Sequence, residues 1–429
     1  MIILRLFLLQ FAPFTIIMEK NEGVYIIMKE IHALDSNAIL KLYISQKSLN
    51  AKLRDEIERI ENHFISQQIR EVVENNYDLG KIVEIFEIFG GYTSRAFRIV
   101  LDKDGEHKDW FFRKYMKPKP EAEVLFEHDL LLHSRYNGFM MNAVPIPTKE
   151  GITYVSKTQG EGEHLRHHYF TVYEFLTGEE PYDWDTNEMP SESYLGIANI
   201  VAEFHHSVYD FDPAGRYNAT EPPILDFIRE MPDKFRFYYN EYGKAGISNC
   251  FTDYLHSQLD YLEEISNTLV IGGEDFRNLP IIPIQCDLHP GNFKFTGDEC
   301  TGVFDFEAAK MDIRLFEIAL GVFNCFSSWL TESAGIIYLD RAESFLRAYN
   351  SKLTDLNSGL APLNETEKKF FCDALQLSNI YMIQWCTRVY HTDMTKDHYE
   401  YLYYLEHLIR SVHWVEDNRA EITAMINRI

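Results

Sequence analysis

Two aspartates and an asparagine are the residues of this 429-residue chain whose types and spacing best fit a chemical task. Asn292 follows Asp287 by five residues, and Asp305 comes after a short apolar stretch that favours a hairpin. Phosphoryl transfer needs such a set, because one carboxylate accepts a hydroxyl proton while an amide oxygen and a second carboxylate hold magnesium against phosphates. The intervening Pro290-Gly291 favours a tight loop that lets Asp287 and Asn292 converge.

The elements that must position this loop change in character along the chain. From Lys81 to Phe175, apolar and polar residues alternate between glycine and aspartate turns, which indicates strands. The predicted strands are Ile82–Phe89, Ala96–Leu101, Trp110–Tyr115, Ile152–Ser156 and Tyr169–Phe175, with a helix at Pro120–Arg135. The order of the first strands predicts an antiparallel arrangement with short connections.

Long helical patterns replace the strands after Leu176. Strand signals return only around Ile281–Asp305, on both sides of the loop with Asp287. The predicted helices are Leu195–Val208, Asp253–Asn267, Phe316–Leu330, Tyr338–Asn350, Glu365–Tyr390 and His398–Asp417. The sequence therefore predicts an α+β fold with a small N-terminal lobe built on an antiparallel sheet and a large, mainly helical C-terminal lobe.

These patterns divide the chain into three parts. Residues 1–47 form an N-terminal extension to which the sequence assigns no role. Residues 48–176 contain the small lobe, preceded by a charged amphipathic helix at Ser48–Asn76. Residues 177–429 contain the helical lobe, where we expect the catalytic loop and the acceptor site.

Composition disfavours several classes of function. The formal net charge is −25, from 41 basic and 66 acidic residues, so the surface repels the phosphates of nucleic acids. The six cysteines form no CxxC pair, which is typical of free thiols in a reducing cytoplasm rather than of disulfides or a zinc site. Arg5 and Pro13 interrupt the apolar first residues, so a membrane segment is disfavoured and a cytoplasmic protein is expected.

The segment from Ile284 to Phe293, IQCDLHPGNF, followed by GVFDFE at Gly302–Glu307, resembles a family signature. It is similar to the HGDLHPGN segment and the IDFD-type motif of the aminoglycoside phosphotransferase superfamily, which includes choline, homoserine, methylthioribose and hydroxylysine kinases. The resemblance implies a bilobal protein-kinase-like fold with ATP and Mg²⁺ as cofactors. The catalytic residues that it implies are Asp287 and His289, and the magnesium ligands are Asn292 and Asp305.

The chain departs from this signature at its start. Gln285 and Cys286 stand where the family has histidine and glycine. Glutamine also donates and accepts hydrogen bonds, so the structural task of that histidine can be retained, and the chemical residues are unchanged. Glu307 stands where members of the family often carry another acidic residue, and the resemblance implies that it assists metal or substrate binding.

Residues of the small lobe resemble the parts of this family that bind the nucleotide. Gly90 and Gly91 lie between two predicted strands and resemble the loop that covers the phosphates, where the absence of a side chain allows close backbone approach. Arg113 resembles the basic strand residue that contacts the phosphates. Strand alternation lets only one of Arg113 and Lys114 face the cleft, and the local pattern favours Arg113. Glu127 resembles the helix glutamate that pairs with this basic residue.

The last predicted strand of the small lobe ends in Tyr173–Leu176, which resembles the hinge between the two lobes. The resemblance implies that the backbone of Glu174 and Phe175 meets the adenine. The helix that contains His205 and His206 resembles a helix of the large lobe. We expect both histidines to serve packing or capping rather than ligand binding.

The combined prediction is an ATP-dependent phosphotransferase that phosphorylates a hydroxyl group of a small molecule, such as an amino alcohol, an aminoglycoside or a similar metabolite. A cationic acceptor is one expectation, because acidic and aromatic residues occur in the helical lobe. The candidate acceptor-site residues are Glu307, Asp312, Trp385, Tyr390 and Asp393. Neither the identity of the acceptor nor the oligomeric state follows from the sequence.

A catalytically inactive kinase-like binding or scaffold protein is the alternative. The departures at Gln285 and Cys286 favour it, but a binding protein has no need of Asp287, Asn292 and Asp305 together. A protein kinase that acts on serine or threonine is disfavoured, because the sequence has no HRD, DFG or APE segment.

Overall fold

The structure of this protein is a computed structural model. It describes residues 17–20, 23–26, 63–88, 94–115, 119–159, 166–269, 277–392 and 396–429. The chain divides into two compact units, Met1–Glu71 and Val72–Ile429. All residues with a predicted chemical role lie in the second unit.

The first unit contains a short antiparallel pair of strands. Strand β1 (Ile17–Lys20) pairs with strand β2 (Gly23–Ile26). The helix predicted at Ser48–Asn76 is described over residues 63–76, named α1. The earlier part of that prediction lies outside the described residues.

An antiparallel sheet of five strands forms the small lobe of the second unit. Its members are β3 (Lys81–Ile88), β4 (Ser94–Lys103), β5 (Glu106–Tyr115), β6 (Val155–Gln159) and β7 (Arg166–Glu174), in the spatial order β3-β4-β5-β7-β6. Asp104 and Gly105 connect β4 to β5 with φ values of 58° and 87°, the left-handed pair of a type I′ turn. The predicted antiparallel sheet is confirmed.

The start of β6 differs from the prediction of a strand at Ile152–Ser156, because β6 begins at Val155. Ile152 instead closes a turn in which its carbonyl accepts a hydrogen bond from Thr148 N–H at 2.7 Å, and Gly151 has a φ of 81°. Alternation alone does not separate such a turn from the start of a strand. Before this turn, helix α2 (Glu121–Tyr136) turns its apolar face into the core.

The large lobe consists mainly of helices around one continuous apolar core. They are α3 (Ser191–Val208), α4 (Ile224–Lys244), α5 (Cys250–Thr268), α6 (Arg314–Phe326), α7 (Leu339–Asp355), α8 (Glu365–Thr392), α9 (His398–Asp417) and α10 (Arg419–Ile426). Every residue of α6 is buried, so this helix lies in the centre of the lobe. Among the residues that the structure describes, no helix combines the length and the apolar character needed to cross a bilayer.

Helices α4 and α10 were not predicted. Pro232 lies inside α4, and proline suggests a helix end because it lacks the N–H that the helical hydrogen bond needs. The helix persists because Phe227, Met231 and Phe235 pack on its buried face. Helix α10 is only eight residues long, too short for a clear periodic pattern.

Two short antiparallel strand pairs hold the segments with the predicted chemistry. Strand β8 (Ile281–Ile284) pairs with β11 (Lys310–Ile313), and β9 (Phe293–Thr296) pairs with β10 (Glu299–Val303). Residues 285–292 connect β8 to β9, and residues 304–309 connect β10 to β11. Both connections are therefore anchored at each end by hydrogen-bonded strands.

Candidate active site

The connection between β8 and β9 is a tight loop built around one turn of 3₁₀-helix, Pro290–Asn292. His289 begins this turn: its Nδ1 accepts a hydrogen bond from Gly291 N–H at 3.2 Å, and its carbonyl accepts from Asn292 N–H at 3.0 Å. A Cβ atom at Gly291 would lie 2.6 Å from Asp183 Oδ1 and 3.0 Å from the His289 ring. Close packing therefore requires glycine at this position.

Asp287 and Asn292 face each other across this loop. Asn292 Nδ2 donates hydrogen bonds to the Asp287 carbonyl at 2.7 Å and to Asp287 Oδ2 at 3.0 Å. This orients the amide so that Asn292 Oδ1 remains as its acceptor atom. His289 Nε2 lies 3.8 Å from the same Asp287 Oδ2. The loop thus brings together the residues expected to act as base and metal ligand.

The connection between β10 and β11 brings Asp305 to the same place. Phe304 N–H donates to the Asn292 carbonyl at 3.0 Å, and Gln285 Nε2 donates to the carbonyls of Phe304 at 2.6 Å and Asp305 at 3.2 Å. Asp305 has a φ of 57°, a left-handed conformation. Such a conformation costs about 1–2 kcal/mol for a residue with a Cβ atom. Gln285 therefore makes hydrogen bonds that hold the strained Asp305 backbone.

The donor atoms of Asn292 and Asp305 are oxygens, which suit a hard divalent cation. Within the described ranges, no three His, Cys, Asp or Glu side chains gather into a metal cage. One amide oxygen and one carboxylate are nevertheless the sparse protein contribution typical of magnesium, which completes its coordination with phosphate oxygens and water. The set fits magnesium that binds together with a nucleotide.

Burial raises the pKa of both carboxyl groups. For Asp287 burial has the largest effect, the charge of His289 opposes it and the charge of Asp305 adds to it. For Asp305 burial again has the largest effect, Arg113 opposes it and Glu307 adds to it. The Asp287 and Asp305 side chains are 45% and 40% exposed to the cleft, so solvent screens part of these effects. A carboxylate with a raised pKa is a better proton acceptor than an ordinary aspartate.

Arg113 in β5 points from the sheet towards these loops. Its Nη1 forms an ion pair of 2.8 Å with Glu127 Oε1 in α2, and its Nη2 lies 3.5 Å from Asp305 Oδ1. The hydroxyl groups of Tyr115 and Tyr173 donate to Glu127 at 3.0 and 3.1 Å. The buried Glu127 carboxylate therefore has an ionic partner and two hydroxyl donors, the conditions under which a buried charge is tolerated.

Lys114, the next residue in β5, projects from the opposite face of the sheet. Its Nζ lies 5.9 Å from the centroid of the Phe170 ring. Burial, and then the charge of Arg95, lowers the pKa of Lys114. The geometry places Arg113 rather than Lys114 beside Asp305, as the local sequence pattern favoured.

Glu307 connects the loop of Asp305 to the small lobe. Its Oε2 accepts a hydrogen bond from the Ser94 hydroxyl at 2.9 Å, and its Oε1 forms an ion pair with Lys119 at 3.0 Å. Ser94 and Lys119 were not predicted as site residues, and no pattern around either one would have identified it. The loop with Gly90-Gly91, just before Ser94, lies outside the described residues.

The predicted hinge residues lie at the end of β7 and directly after it. Glu174 N–H donates to the Val144 carbonyl at 3.1 Å, and its carboxylate forms an ion pair with Arg135 at 2.8 Å. The Phe175 ring centroid lies 5.6 Å from Arg98 Cζ of β4. The Glu174 side chain is thus paired with Arg135. The Phe175 ring lies within cation–π distance of the Arg98 guanidinium of the sheet.

Two of the candidate acceptor-site residues prove to be structural. Asp312 is buried, pairs with Lys310 at 2.9 Å and accepts a hydrogen bond from Ile224 N–H at 2.8 Å. Tyr390 is buried, and its hydroxyl accepts from Asn249 Nδ2 at 2.9 Å. The interpretation of Asp312 and Tyr390 as acceptor contacts is wrong, because their side chains face the core of the helical lobe.

Trp385 of α8 belongs to an aromatic cluster that the sequence did not reveal. The Trp184 ring centroid lies 5.0 Å from that of Trp329, 5.9 Å from that of Trp385 and 4.5 Å from that of Tyr404. The three tryptophans are all partly exposed. These four residues are called the aromatic cluster below. Asp393, also a candidate, lies outside the described residues.

Acidic groups border the aromatic cluster next to the loop of Asp287. Asp183 Oδ1 lies 3.8 Å from His289 Nδ1. Burial, and then the charges of Asp183 and Glu400, raises the pKa of Asp185. Aromatic faces beside carboxylates form a surface that can bind an organic cation. Because these residues come from separate segments of the chain, no local motif could have predicted their meeting.

Curated homoserine kinases are similar to this chain. The enzyme of Methylocella silvestris is 34% identical over 93 residues, which are 22% of this chain and 25% of that protein. The enzyme of Parvibaculum lavamentivorans is 34% identical over 278 residues, 64% of this chain and 73% of that protein. For three further homoserine kinases, the match spans only between 26% and 31% of their length.

Solved kinase structures share the fold. An amicoumacin kinase in complex with AMP-PNP, Ca²⁺ and Ami superposes with a TM-score of 0.55 at 15% identity, over 85% of this chain and 96% of that one. A microcompartment-associated aminopropanol kinase superposes with a TM-score of 0.53 at 13% identity, over 84% of this chain and 98% of that one. The predicted bilobal, kinase-like fold is confirmed.

A sequence model of the phosphotransferase enzyme family, abbreviated APH, matches residues 85–351. The match covers more than half of the chain and includes most of the sheet, Arg113, Glu127 and both loops that meet at Asp287 and Asp305. The chain belongs to the phosphotransferase enzyme family.

Proposed function

We propose that this protein is an ATP-dependent kinase that transfers a phosphoryl group to a hydroxyl of a small, positively charged molecule. The observation that carries the proposal is the meeting of Asp287, Asn292 and Asp305 in front of Arg113. A proton acceptor, metal-binding oxygens and a phosphate-binding cation then share one cleft, and phosphoryl transfer depends mainly on such positioning. In this proposal, residues 48–176 hold the donor and residues 177–429 hold the base and the acceptor.

Asp287 is the proposed base. The acceptor hydroxyl would lie against its carboxylate, which accepts the proton as the oxygen attacks the phosphorus. The 3.0 Å hydrogen bond from Asn292 Nδ2 fixes the orientation of Asp287 Oδ2. His289, 3.8 Å away, favours the charged form of Asp287 through its own positive charge when protonated.

Asn292 Oδ1 and the Asp305 carboxylate are the proposed magnesium ligands. When bound, magnesium supplies charge neutralisation on the phosphates. The hydrogen bonds from Gln285 to the backbone around Asp305 keep this carboxylate in place. The presence of AMP-PNP with Ca²⁺ in the amicoumacin kinase supports the use of a nucleotide together with a divalent ion.

Arg113 is the proposed phosphate contact. The ion pair with Glu127 orients the planar guanidinium group of Arg113. Its Nη2 atom then points to the Asp305 side of the cleft. The backbone at Glu174 and Phe175 would meet the base of the nucleotide, as in the family resemblance. Gly90-Gly91, which precede β4, would cover the phosphates.

The aromatic cluster is the proposed binding surface for the acceptor. Asp183 places a carboxylate between this cluster and His289, so a cation bound there would lie close to Asp287. Partly desolvated aromatic faces attract organic cations by about 0.5–2 kcal/mol. The names of the similar proteins support an acceptor with an amine, since aminopropanol and homoserine both carry an amino group and a hydroxyl.

An ATP-consumption assay with Mg²⁺ tests the proposal. The panel contains aminopropanol, choline, homoserine and an aminoglycoside, with propanol and glycerol as neutral controls. We expect consumption only with an acceptor that carries an ammonium group. MgATP at a hundredfold excess over its Kd should also stabilise the fold by about 2.7 kcal/mol, seen as a rise in Tm. No rise in Tm at millimolar MgATP, together with no consumption, would reject the kinase function.

A further inference from the structure

We propose that Glu317, supported by His205, is a positioning residue that holds the Cys286 backbone in a left-handed conformation and thereby orients Asp287. The inference rests on the proposed function, because it concerns how the base is presented to the acceptor. Neither Glu317 nor His205 touches the cleft, since both side chains are fully buried. Their effect on the reaction would pass entirely through the backbone before Asp287.

Cys286 precedes Asp287 and has a φ of 64°. This conformation is routine for glycine but rare for a residue with a Cβ atom. The Cys286 side chain is 1% exposed, and its Sγ lies 3.7 Å from the Tyr381 hydroxyl. Its N–H donates a hydrogen bond to Glu317 Oε1 at 2.8 Å. The strained residue is therefore held by its side chain on one side and by Glu317 on the other.

Glu317 is itself fixed by a buried chain of contacts. His205 Nε2 lies 2.6 Å from Glu317 Oε2, and His205 Nδ1 lies 2.8 Å from the Tyr349 hydroxyl. A buried carboxylate is costly unless it has hydrogen-bond donors, and here it has the ring of His205 and the N–H of Cys286. His205 therefore sets the direction in which Glu317 presents its other oxygen.

Helix α6 contacts the catalytic loop through one face. Glu317, Gly321 and Asn324 follow each other at the spacing of a single helix face. A Cβ atom at Gly321 would clash with Leu288 Cδ2, and Asn324 Nδ2 donates to the Leu288 carbonyl at 3.0 Å. This face of α6 thus contacts both Cys286 and Leu288, the residues on either side of the proposed base.

Release of Cys286 from Glu317 would let its backbone relax to a right-handed or extended conformation. The peptide plane before Asp287 would then rotate and move the carboxylate away from Asn292 Nδ2. A displacement of about 1 Å at a reacting group can lower a rate about a hundredfold. The predicted damage is therefore to kcat, with a smaller change in the KM for the nucleotide, whose contacts lie elsewhere.

A double-mutant cycle tests this idea. Glu317→Ala is expected to lower kcat about tenfold to a hundredfold. Glycine adopts positive φ without strain, so adding Cys286→Gly should recover most of that loss. Losses that simply multiply would overturn the proposal, because a general packing defect is not repaired by glycine. Asp373, a buried carboxylate paired with Arg419 at 2.8 Å, provides the matched control, and Cys286→Gly should not repair Asp373→Ala.

Two further variants keep the test decisive if Glu317→Ala does not fold. Glu317→Gln retains an acceptor oxygen and should keep kcat near that of the unmodified enzyme. His205→Phe removes the donor to Glu317 while keeping a ring, and should lower kcat in a way that Cys286→Gly repairs. Equal kcat in His205→Phe and the unmodified enzyme would overturn the proposal.

Crystal structures separate this inference from the proposed function. In His205→Phe we expect a changed φ at Cys286 and a longer distance between Asp287 Oδ2 and Asn292 Nδ2 than 3.0 Å. Both quantities can be measured whether or not the protein transfers phosphate. Unchanged values would reject the positioning role, whereas an unmodified enzyme without turnover would reject the proposed function.

Discussion

The two sides of the proposed active site are built from different interactions. On the donor side, Arg113 is held by Glu127 at 2.8 Å in a buried, directional ion pair. On the acceptor side, Trp184 contacts its aromatic neighbours edge to face, and the nearby Asp183 is exposed. Directional charged bonds select a ligand of fixed geometry, such as a triphosphate, whereas aromatic faces accept cations of varied shape.

In the proposed active site, the two sides also rest on different parts of the fold. The donor side lies on the sheet and on the strand-anchored loop of Asp305, elements that the chain fixes at both ends. The aromatic cluster combines a loop residue, Trp184, with Trp385 and Tyr404 from separate helices. If the cluster binds the acceptor as proposed, substitutions in it should alter acceptor choice without disturbing the donor side.

Asp287 joins the two sides, and its substitution should have the largest effect. Asp287→Asn keeps the shape of the side chain but removes its ability to accept a proton. We expect turnover to fall about a hundredfold to ten-thousandfold, with the Kd for MgATP nearly unchanged. Steady-state kinetics and calorimetry measure the two quantities. Turnover at the unmodified rate would mean that no proton acceptor is needed at this position.

The meeting of Asp287 and Asn292 in one loop could be predicted from the sequence, because the contact is local. Asp287 and Asn292 lie within one loop, and Pro290-Gly291 limits the shapes that this loop can adopt. The strand alternation that favoured Arg113 over Lys114 is also a local rule. The spacing of residues along the chain is enough to predict short-range geometry of this kind.

Arg113 should give the next largest effect, confined to the donor side. Arg113→Lys keeps a positive charge beside Glu127. A lysine ammonium group, however, cannot contact both Glu127 and Asp305 as the planar guanidinium group does. Loss of one charge-assisted contact, about 1.5–3 kcal/mol, should raise the KM for ATP roughly tenfold to 150-fold. Lys114→Met, on the opposite face of the sheet, is the matched control and should leave the KM for ATP unchanged. A larger effect of Lys114→Met would reverse the assignment of the two residues.

The aromatic cluster proposed as the acceptor side could not be predicted, because its parts are distant in sequence. The sequence singled out Trp385 but not Trp184, and it proposed Asp312 and Tyr390, which the fold buries. Aromatic and acidic residues are common in helices, and only tertiary packing decides which of them face a cleft. The link from Ser94 to Glu307 was missed for the same reason.

Trp184 should give a smaller effect, confined to the acceptor side. Trp184→Leu removes a cation-binding face worth about 0.5–2 kcal/mol, so the KM for the cationic acceptor should rise roughly twofold to thirtyfold. The KM for ATP should stay constant. Trp414→Leu is the matched control, because Trp414 of α9 is also partly buried and packs against the apolar core of the large lobe, outside the cluster. Equal changes in both KM values would show that Trp184 supports the fold as a whole.

The smallest effect is a pH dependence of acceptor binding that comes from Asp185. Burial, and then the charges of Asp183 and Glu400, raises the pKa of Asp185, so acidification neutralises it at a higher pH than an ordinary aspartate. The loss of one partly exposed charge, worth about 0.2–1 kcal/mol, should weaken binding of the cationic acceptor up to about fivefold as the pH falls through that raised pKa.

On the donor side, burial lowers the pKa of His128 to about 3, so this histidine, 3.0 Å from the Tyr173 hydroxyl, stays neutral between pH 7 and pH 5. Calorimetry at successively lower pH values should therefore find an increase in acceptor Kd that Asp185→Asn abolishes. The change in the Kd for MgADP should be the same with and without this substitution, since Asp185 lies outside the proposed nucleotide site. An acceptor Kd that keeps its pH dependence in Asp185→Asn would assign the titration to another carboxylate of the acceptor side.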